Sequence, residues 1–182
     1  MTASIRSSSS RRCTAQMRIA SPLGPLLLAR TADGLAGVWF DKQKHHPQPI
    51  DAPDQDDDAL LCRAAKQLRA YFDGDETAFD VPLDLQGTPF QRAVWQELLH
   101  LERGTTCTYG DIARRLGTPT AGRAVGAAVG RNPVSVIVPC HRVVGSTGAL
   151  TGYAGGLERK TALLHIESAL PPPRRSQART AH

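Results

Sequence analysis

The sequence lacks any long hydrophobic run. Its longest apolar stretches, such as 26–29 and 136–138, are far shorter than the roughly 20 residues that a membrane-spanning helix needs. The opening residues, MTASIRSSSSRR, also lack the apolar core of a secretory signal. We therefore expect a soluble, cytoplasmic protein that makes no use of a membrane.

Paired cysteines are absent as well. The four cysteines form no C-x-x-C pair and lie far apart: Cys13, Cys62, Cys107 and Cys140. This spacing indicates neither a zinc finger nor a secreted disulfide scaffold. His45 and His46 are adjacent but have no spaced partners, so we interpret them as a solvated loop pair. We expect reduced thiols, no metal and no cofactor.

Acidic residues are missing from both ends of the chain. Residues 1–18 and 171–182 contain four and three arginines, and no acid. Residues 19–87 have six basic and twelve acidic side chains, whereas residues 88–170 have nine basic and five acidic ones. A basic second half favours a polyanionic partner. We expect basic, disordered tails at 1–16 and 171–182, and take a monomer as the default.

Between the tails we expect an N-terminal domain over 17–83. Short apolar runs separated by turn residues predict strands at about 17–20, 26–30 and 35–40. Asp33-Gly34 has the composition of a two-residue hairpin turn. The segment therefore predicts a small three-stranded sheet.

A helix is predicted to follow this sheet. The acids at 56–58 suit the positive end of a helix dipole, and Gly74 is a suitable terminator. The apolar residues recur at helical spacing and should form one buried face: Leu61, Ala64, Ala65, Leu68 and Phe72.

The second domain, over 84–170, is predicted to be mainly helical. Thr88-Pro89 is a typical helix start, with threonine as N-cap and proline at the first helical position. Further on, helices at Tyr109–Leu116 and Ala121–Gly130 flank a short turn that contains Gly117. Two short helices joined in this way are typical of a helix-turn-helix. The fold class is therefore α/β, in the segregated α+β arrangement.

The second helix of this pair has an unusual composition. Three of its ten residues are glycine, although glycine costs about 1 kcal/mol per helical position relative to alanine. Arg123 is its only long polar side chain. One explanation is that a bulky partner approaches a face without side chains; the other is a tight helix–helix contact with Arg123 in solvent. The sequence leaves both open.

The apolar run 134–138 looks like a buried strand, and it leads to Pro139-Cys140-His141-Arg142. A cysteine beside a histidine is a candidate nucleophile, because a thiolate needs a nearby base or positive charge. The pair alone is a weak signal, and its neighbours make it specific. Asn132-Pro133 precedes it, Val143 follows directly, and Gly152-Tyr153 comes shortly after.

This region resembles the active-site segment of the O6-alkylguanine-DNA alkyltransferases, the methylated-DNA–protein-cysteine methyltransferases. The resemblance covers most of the chain, from Ser21–Pro25 through Thr88–Trp95 to Leu163–Glu167. The sequence of Thr151–Gly156 is similar to that of the bacterial constitutive branch of this family. The first domain lacks an evident counterpart of the vertebrate zinc ligands. It is expected to be ribonuclease-H-like in shape.

The resemblance implies a stoichiometric, suicidal S-methyltransferase for DNA repair. An alkyl group of O6-alkylguanine in double-stranded DNA passes irreversibly to Cys140, with O4-alkylthymine as a second candidate substrate. His141 acts as the base through a water, and Glu167 orients it. Asn132 ties the recognition helix to the active-site segment, and Tyr109 donates a hydrogen bond to the extruded base.

The resemblance also implies how DNA is bound. Arg123 enters the duplex in place of the flipped nucleotide, from a helix pressed on the minor groove. The implied DNA-contacting set is Tyr109, Thr120, Ala121, Arg123, Ala124, Gly126 and Ala127. The implied substrate pocket is lined by Val143, Tyr153 and Ala154, where the vertebrate pattern has serine in place of Ala154.

Three other functions compete with this one. A helix-turn-helix transcription factor needs a polar recognition helix to read base edges, and this one offers only Arg123. A cysteine hydrolase explains Cys140 and His141 but not the DNA-binding elements. A binding-only relative that flags lesions has no use for the nucleophile, and Cys140 is present.

Overall fold

The computed structural model describes residues 12–76 and 78–170. Its N-terminal half contains a three-stranded antiparallel sheet whose strands are arranged in chain order. The strands are β1 (Ala15–Ile19), β2 (Leu26–Arg30) and β3 (Leu35–Phe40), which confirms the predicted sheet. β1 begins inside the segment expected to be a disordered tail, because Gln16 pairs through its backbone with both β2 and the segment 53–55. The remainder of the predicted tails, 1–11 and 171–182, lies outside the described residues.

The connection between β2 and β3 is a tight turn, but it is not centred where the sequence suggested. The Thr31 backbone N–H donates to the Gly34 carbonyl at 2.9 Å, so Ala32 and Asp33 occupy the turn. The expected turn residues Asp33-Gly34 are therefore displaced by one position. The Thr31 hydroxyl, which donates to Asp84 at 2.7 Å, stabilises this arrangement.

One helix, α1 (Ala59–Phe72), packs on this sheet as predicted. Its N-cap is Asp58, whose carboxylate accepts from the backbone N–H groups of Leu60 and Leu61. Four of the five predicted core positions are buried, but at the C-terminal end Tyr71 is buried and Phe72 is only half-buried. Phe72 still packs against the core from this position, and Tyr71, which the pattern did not include, has a hydrogen-bond partner in the C-terminal half.

The C-terminal half is mainly helical, as expected. Its first helix is α2 (Pro89–Leu99), and Thr88 forms the predicted N-cap in a full capping box with Gln91. The other elements are β4 (Cys107–Thr108), α3 (Tyr109–Arg115), α4 (Gly122–Gly130), a 3-10 turn (Cys140–Arg142), β5 (Val143–Val144) and α5 (Leu157–Ile166). The short strands β4 and β5 pair in parallel. The predicted α+β fold class is confirmed.

A continuous hydrophobic core joins the two halves. α3 and α4 form the predicted helix-turn-helix and pack on α2, where the Trp95 indole N–H donates to the Ala128 carbonyl at 2.9 Å. At the other end of α4, the Val38 backbone in β3 exchanges hydrogen bonds with Pro133 and Ser135. The edge of the N-terminal sheet therefore holds the segment that leads to Cys140.

Within residues 12–76 and 78–170, no helix is long and apolar enough to cross a membrane. The same residues contain no cluster of three or more histidine, cysteine or acidic side chains placed to bind a metal ion. All four cysteines are free.

Candidate active site

The segment before Cys140 is a buried turn, and the predicted strand over 134–138 is wrong. Only Val134 pairs with a strand, in an isolated parallel bridge to Val38 of β3, and Asn132 supplies further hydrogen bonds to the segment. Its side-chain oxygen accepts from the Val134 N–H at 3.0 Å, and its amide donates to the Val138 carbonyl at 2.8 Å. Val136 has a φ of 73°, a left-handed value that β-branched residues rarely adopt. Such strain costs about 1–3 kcal/mol and concentrates at functional sites.

The thiol of Cys140 lies at the start of the 3-10 turn and is 4% exposed. The Asn132 amide, which is equally buried, also donates to the Cys140 sulfur at 3.0 Å. Burial raises the pKa of Cys140 to about 11, while the Asn132 hydrogen bond and the Lys160 charge act in the opposite direction. At neutral pH the group is therefore a thiol, and a nearby base must remove its proton before it can act as a nucleophile.

His141 follows directly and is fully buried. Its Nε2 lies 2.7 Å from Oε1 of Glu167, the residue that caps the end of α5. An ionised carboxylate only accepts hydrogen bonds, so Nε2 carries the ring proton and Nδ1 is unprotonated in the neutral imidazole. Nδ1 has no hydrogen-bond partner among the described residues. Burial lowers the pKa of His141 despite the opposing effect of Glu167, which favours this neutral form.

Glu167 has more partners than the sequence indicated. Arg142 binds both carboxylate oxygens, with Nε 2.8 Å from Oε2 and Nη2 2.9 Å from Oε1. The Tyr71 hydroxyl donates to Oε1 at 2.7 Å. Burial by itself raises the pKa of Glu167, but the hydrogen bonds and charges of His141 and Arg142 outweigh it and hold the pKa far below its usual range. The Glu167 carboxylate is therefore ionised and held in one position, where it accepts a hydrogen bond from Nε2 of His141.

Lys160 is a further residue that sequence reasoning missed. It lies on α5, has no exposed surface, and donates from Nζ to the carbonyls of Val143, Thr151 and Gly152. Burial lowers the pKa of Lys160 to about 8, and the proximity of Cys140 opposes this. The available signal was a lysine at helical spacing from Leu163 and Leu164, on the buried face of α5. Its charge favours the thiolate form of Cys140.

A groove of about 340 Å³ opens beside these groups. Tyr153 and Ala154, both predicted pocket residues, line it together with Tyr109 and the glycine-rich side of α4. A thiolate at Cys140 is close enough to raise the pKa of both Tyr109 and Tyr153, although burial is the larger cause for each tyrosine. Cys140 does not itself line the groove, but two of the residues that do, Tyr109 and Tyr153, lie within electrostatic range of its sulfur. The Tyr109 hydroxyl donates to the Thr151 carbonyl at 3.2 Å.

The third predicted pocket residue, Val143, does not line this groove. It is fully buried in β5, where its backbone pairs with Cys107. The N-terminal half contributes Lys44 and His45 to the groove instead, which the sequence did not indicate. We predicted that His45 and His46 are both exposed to solvent. This is wrong for His46, which is half-buried with its ring centroid 6.4 Å from that of Trp39.

The outer face of α4 carries the residues expected to contact DNA. Four of these predicted residues are exposed: Thr120, Arg123, Ala124 and Ala127. Ala121 is the half-buried N-cap residue, and no side chain of the described residues caps the helix. Arg123 forms no ion pair within the described part of the chain. The opposite face of α4 is buried in the core.

The space around the glycines of α4 tests one of the two explanations of its composition. A side-chain carbon added at Gly122 or Gly130 meets nothing within 4 Å in the described structure. At Gly126 it makes only ordinary contact, 3.7 Å from the Tyr109 ring. Packing inside the protein therefore does not require these glycines. This is evidence against the tight helix–helix contact, and the approach of a partner from outside stays a hypothesis.

Two protein-family models match the chain. The ribonuclease-like domain of 6-O-methylguanine DNA methyltransferase matches residues 17–85, and the DNA-binding domain matches residues 89–169. The methylated-DNA–protein-cysteine methyltransferase of Mycobacterium tuberculosis strain H37Rv is 48% identical over 155 residues, which cover 85% of this chain and 92% of that protein. The enzyme of the same name from Methanosarcina acetivorans is 48% identical over 151 residues, 82% of this chain and 95% of that protein.

A solved structure is similar over nearly the same range. The crystal structure of Mycobacterium tuberculosis OGT in complex with DNA superposes with a TM-score of 0.79 at 46% sequence identity. The match covers 86% of this chain and 94% of that chain. Similarity of sequence and similarity of fold thus extend over both halves.

Proposed function

The chain belongs to the 6-O-methylguanine DNA methyltransferase family, and on that premise we propose that it repairs DNA by direct reversal, moving the alkyl group of an O6-alkylguanine irreversibly onto Cys140. The observation that carries this proposal is the arrangement of one buried thiol beside a neutral histidine whose Nε2 is tied to an anionic Glu167. This arrangement makes a nucleophile from a thiol that is otherwise inert.

The first step is formation of the thiolate. The Cys140 proton passes through a water to the unprotonated Nδ1 of His141, and Glu167 stabilises the imidazolium that results. The Asn132 amide and the charge of Lys160 stabilise the sulfur anion.

The second step is displacement at the alkyl carbon. The sulfur of Cys140 forms a bond to that carbon as the bond from carbon to O6 breaks, and the electron pair stays on the guanine. The guanine anion is stabilised by hydrogen-bond donors as its charge develops and regains a proton on its ring. In this proposal Tyr109, which lines the groove, is one such donor. The product at Cys140 is a thioether, which no group of the site can cleave, so each molecule reacts once.

Access to the lesion requires the nucleotide to leave the double helix. We assign this to α4, whose side-chain-poor outer face fits the minor groove and whose Arg123 occupies the space left by the base. Backbone N–H groups at its uncapped start, next to Thr120 and Ala121, are suited to bind a phosphate. A single copy of the chain contains every group that this mechanism uses, consistent with a monomer.

Intact mass spectrometry after incubation with an O6-methylguanine duplex tests the proposal. The protein mass should rise by one methyl group, peptide mapping should place it on Cys140, and the yield should stop at one equivalent. The matched control is Cys140→Ala, which should lose transfer but keep its DNA affinity within a few-fold, because phosphate contacts dominate affinity. Conversion of many equivalents without a mass shift, or an adduct on a different cysteine, contradicts the proposal.

A further inference from the structure

The phenol of Tyr71 is the one group from the N-terminal half that hydrogen-bonds the Glu167 carboxylate in the described structure. It lies near the C-terminal end of α1, is 3% exposed, and packs in an aromatic cluster with Phe72 and Phe79 at ring-centroid distances of 5.5 and 5.7 Å. Arg103 stacks over the same ring at 5.1 Å. A buried phenol needs a hydrogen-bond partner, and Tyr71 has one in Glu167.

The hydroxyl of Tyr71 is always a donor. Burial, together with the charge of Glu167, holds the pKa of Tyr71 far above its usual value, so the proton stays on the phenol at any working pH. It donates to Oε1, the same oxygen that accepts from His141, and its own oxygen lies 3.5 Å from His141 Nε2. Tyr71 thus contacts both members of the pair that activates the thiol.

Two consequences follow from sharing this oxygen. The hydrogen bond fixes the position of Oε1, and with it the ring orientation of His141. The Tyr71 hydrogen bond also makes Glu167 a weaker acceptor for His141, because a carboxylate that already accepts a strong hydrogen bond is less basic toward the next donor. The imidazolium form of His141 is therefore less favoured than it would be with Glu167 free of Tyr71.

We propose that Tyr71 is a positioning residue for alkyl transfer, through which the N-terminal half of the chain sets the orientation and the proton affinity of His141. The proposal rests on the function assigned to Cys140. It gives the N-terminal half a part in the chemistry in addition to its packing role. Tyr71 itself makes no hydrogen bond to the thiol and does not line the groove in the described structure.

Tyr71→Phe removes only the hydroxyl and is the first test. Single-turnover transfer from an O6-methylguanine duplex should slow by about ten-fold, because the orientation of His141 is less well defined. The acid limb of the pH–rate profile should move to higher pH by about half a unit, because Glu167 then stabilises the imidazolium more strongly. Affinity for the duplex, measured separately, should not change.

Thr31→Val is the matched control. The Thr31 hydroxyl is also buried in the N-terminal half and also donates to a carboxylate, that of Asp84, at 2.7 Å. Its removal deletes a hydrogen bond of the same kind and length at a different acid. Thr31→Val should lose thermal stability yet keep both the rate and the pH profile. If both variants alter the profile, or neither does, Tyr71 is only structural and the proposal is wrong.

A second variant and a second readout keep the test decisive. If Tyr71→Phe does not fold, 3-fluorotyrosine can be placed at position 71. Its phenol is more acidic and donates a stronger hydrogen bond, so the acid limb of the pH–rate profile should move to lower pH. An unchanged acid limb overturns the proposal. Titration of ¹⁵N-labelled His141 by NMR reports its tautomer and proton affinity without any alkyl transfer. It should show a raised pKa in Tyr71→Phe, and an unchanged value overturns the proposal even where Cys140 proves inactive toward alkylguanine.

Discussion

Replacing Arg123 by alanine should slow alkyl transfer from duplex DNA much more than transfer from the free O6-alkylguanine base. Rotating a paired nucleotide out of the stack costs a few kcal/mol, and in our proposal Arg123 offsets part of this by filling the gap. If that part is about 2 kcal/mol, the duplex rate falls about 30-fold, since each 1.36 kcal/mol is a factor of ten. The free base needs no rotation, so its rate should stay within about two-fold.

The structure makes this a clean perturbation. Arg123 is exposed and forms no ion pair within the described residues, so its truncation should alter the free energy of unfolding by no more than about 0.5 kcal/mol. Its exposed neighbours on α4, Ala124 and Ala127, are too short to take its place. Arg69→Ala is the matched control, because it removes the same charge from an exposed position on α1.

The assay compares single-turnover rates on free base, matched duplex and mismatched duplex. The Arg123→Ala defect should shrink when the lesion faces a mismatch, because less pairing energy then opposes rotation. Arg123→Lys should recover only part of the rate, because a flexible ammonium lacks the planar, stacking guanidinium. Equal losses on free base and duplex would place Arg123 in the pocket or in the fold, and the reasoning above would be refuted.

Two further predictions concern buried charges. The pKa of Glu167 in the folded state lies below its value of about 4.3 in the unfolded chain. The ionised carboxylate therefore stabilises the fold fully above that unfolded pKa. This contribution is lost as the pH falls toward the pKa of the folded state. Thermal melts from pH 6 to pH 2 should show a steeper loss of stability in the parent protein than in Glu167→Gln; parallel curves would contradict this. Lys160→Met should raise the pKa of Cys140 further and slow alkyl transfer at least about ten-fold at neutral pH. The affinity for DNA should stay within a few-fold. An unchanged single-turnover rate would show that the Lys160 charge does not act on the thiolate.

Local patterns in the sequence were sufficient for most of the secondary structure. The helix that begins at Thr88-Pro89 and the helix-turn-helix were predictable because caps, helix-terminating glycines and a 3.6-residue apolar period act within a few residues of one another. The specific run from Pro139 to Val143 identified Cys140 and His141, and the resemblance supplied Glu167 and Asn132. In the structure Asn132 hydrogen-bonds Cys140 and Glu167 hydrogen-bonds His141, and the two pairs are joined through the adjacent positions of Cys140 and His141 in the chain.

The tertiary structure alone decided which groups surround this centre and how the chain reaches it. An apolar run such as 134–138 has the same composition in a strand as in a buried turn, and the hydrogen bonds from Asn132 and from the Val38 backbone hold it as a turn. Tyr71 looks like an ordinary member of an amphipathic helix, and Lys160 differs from an ordinary surface lysine only in its spacing from Leu163 and Leu164. Their partners are Glu167, 96 residues away from Tyr71, and the carbonyl groups of a different loop. A buried polar group needs a partner, but its identity depends on which distant segments pack together, and local sequence patterns do not contain that information.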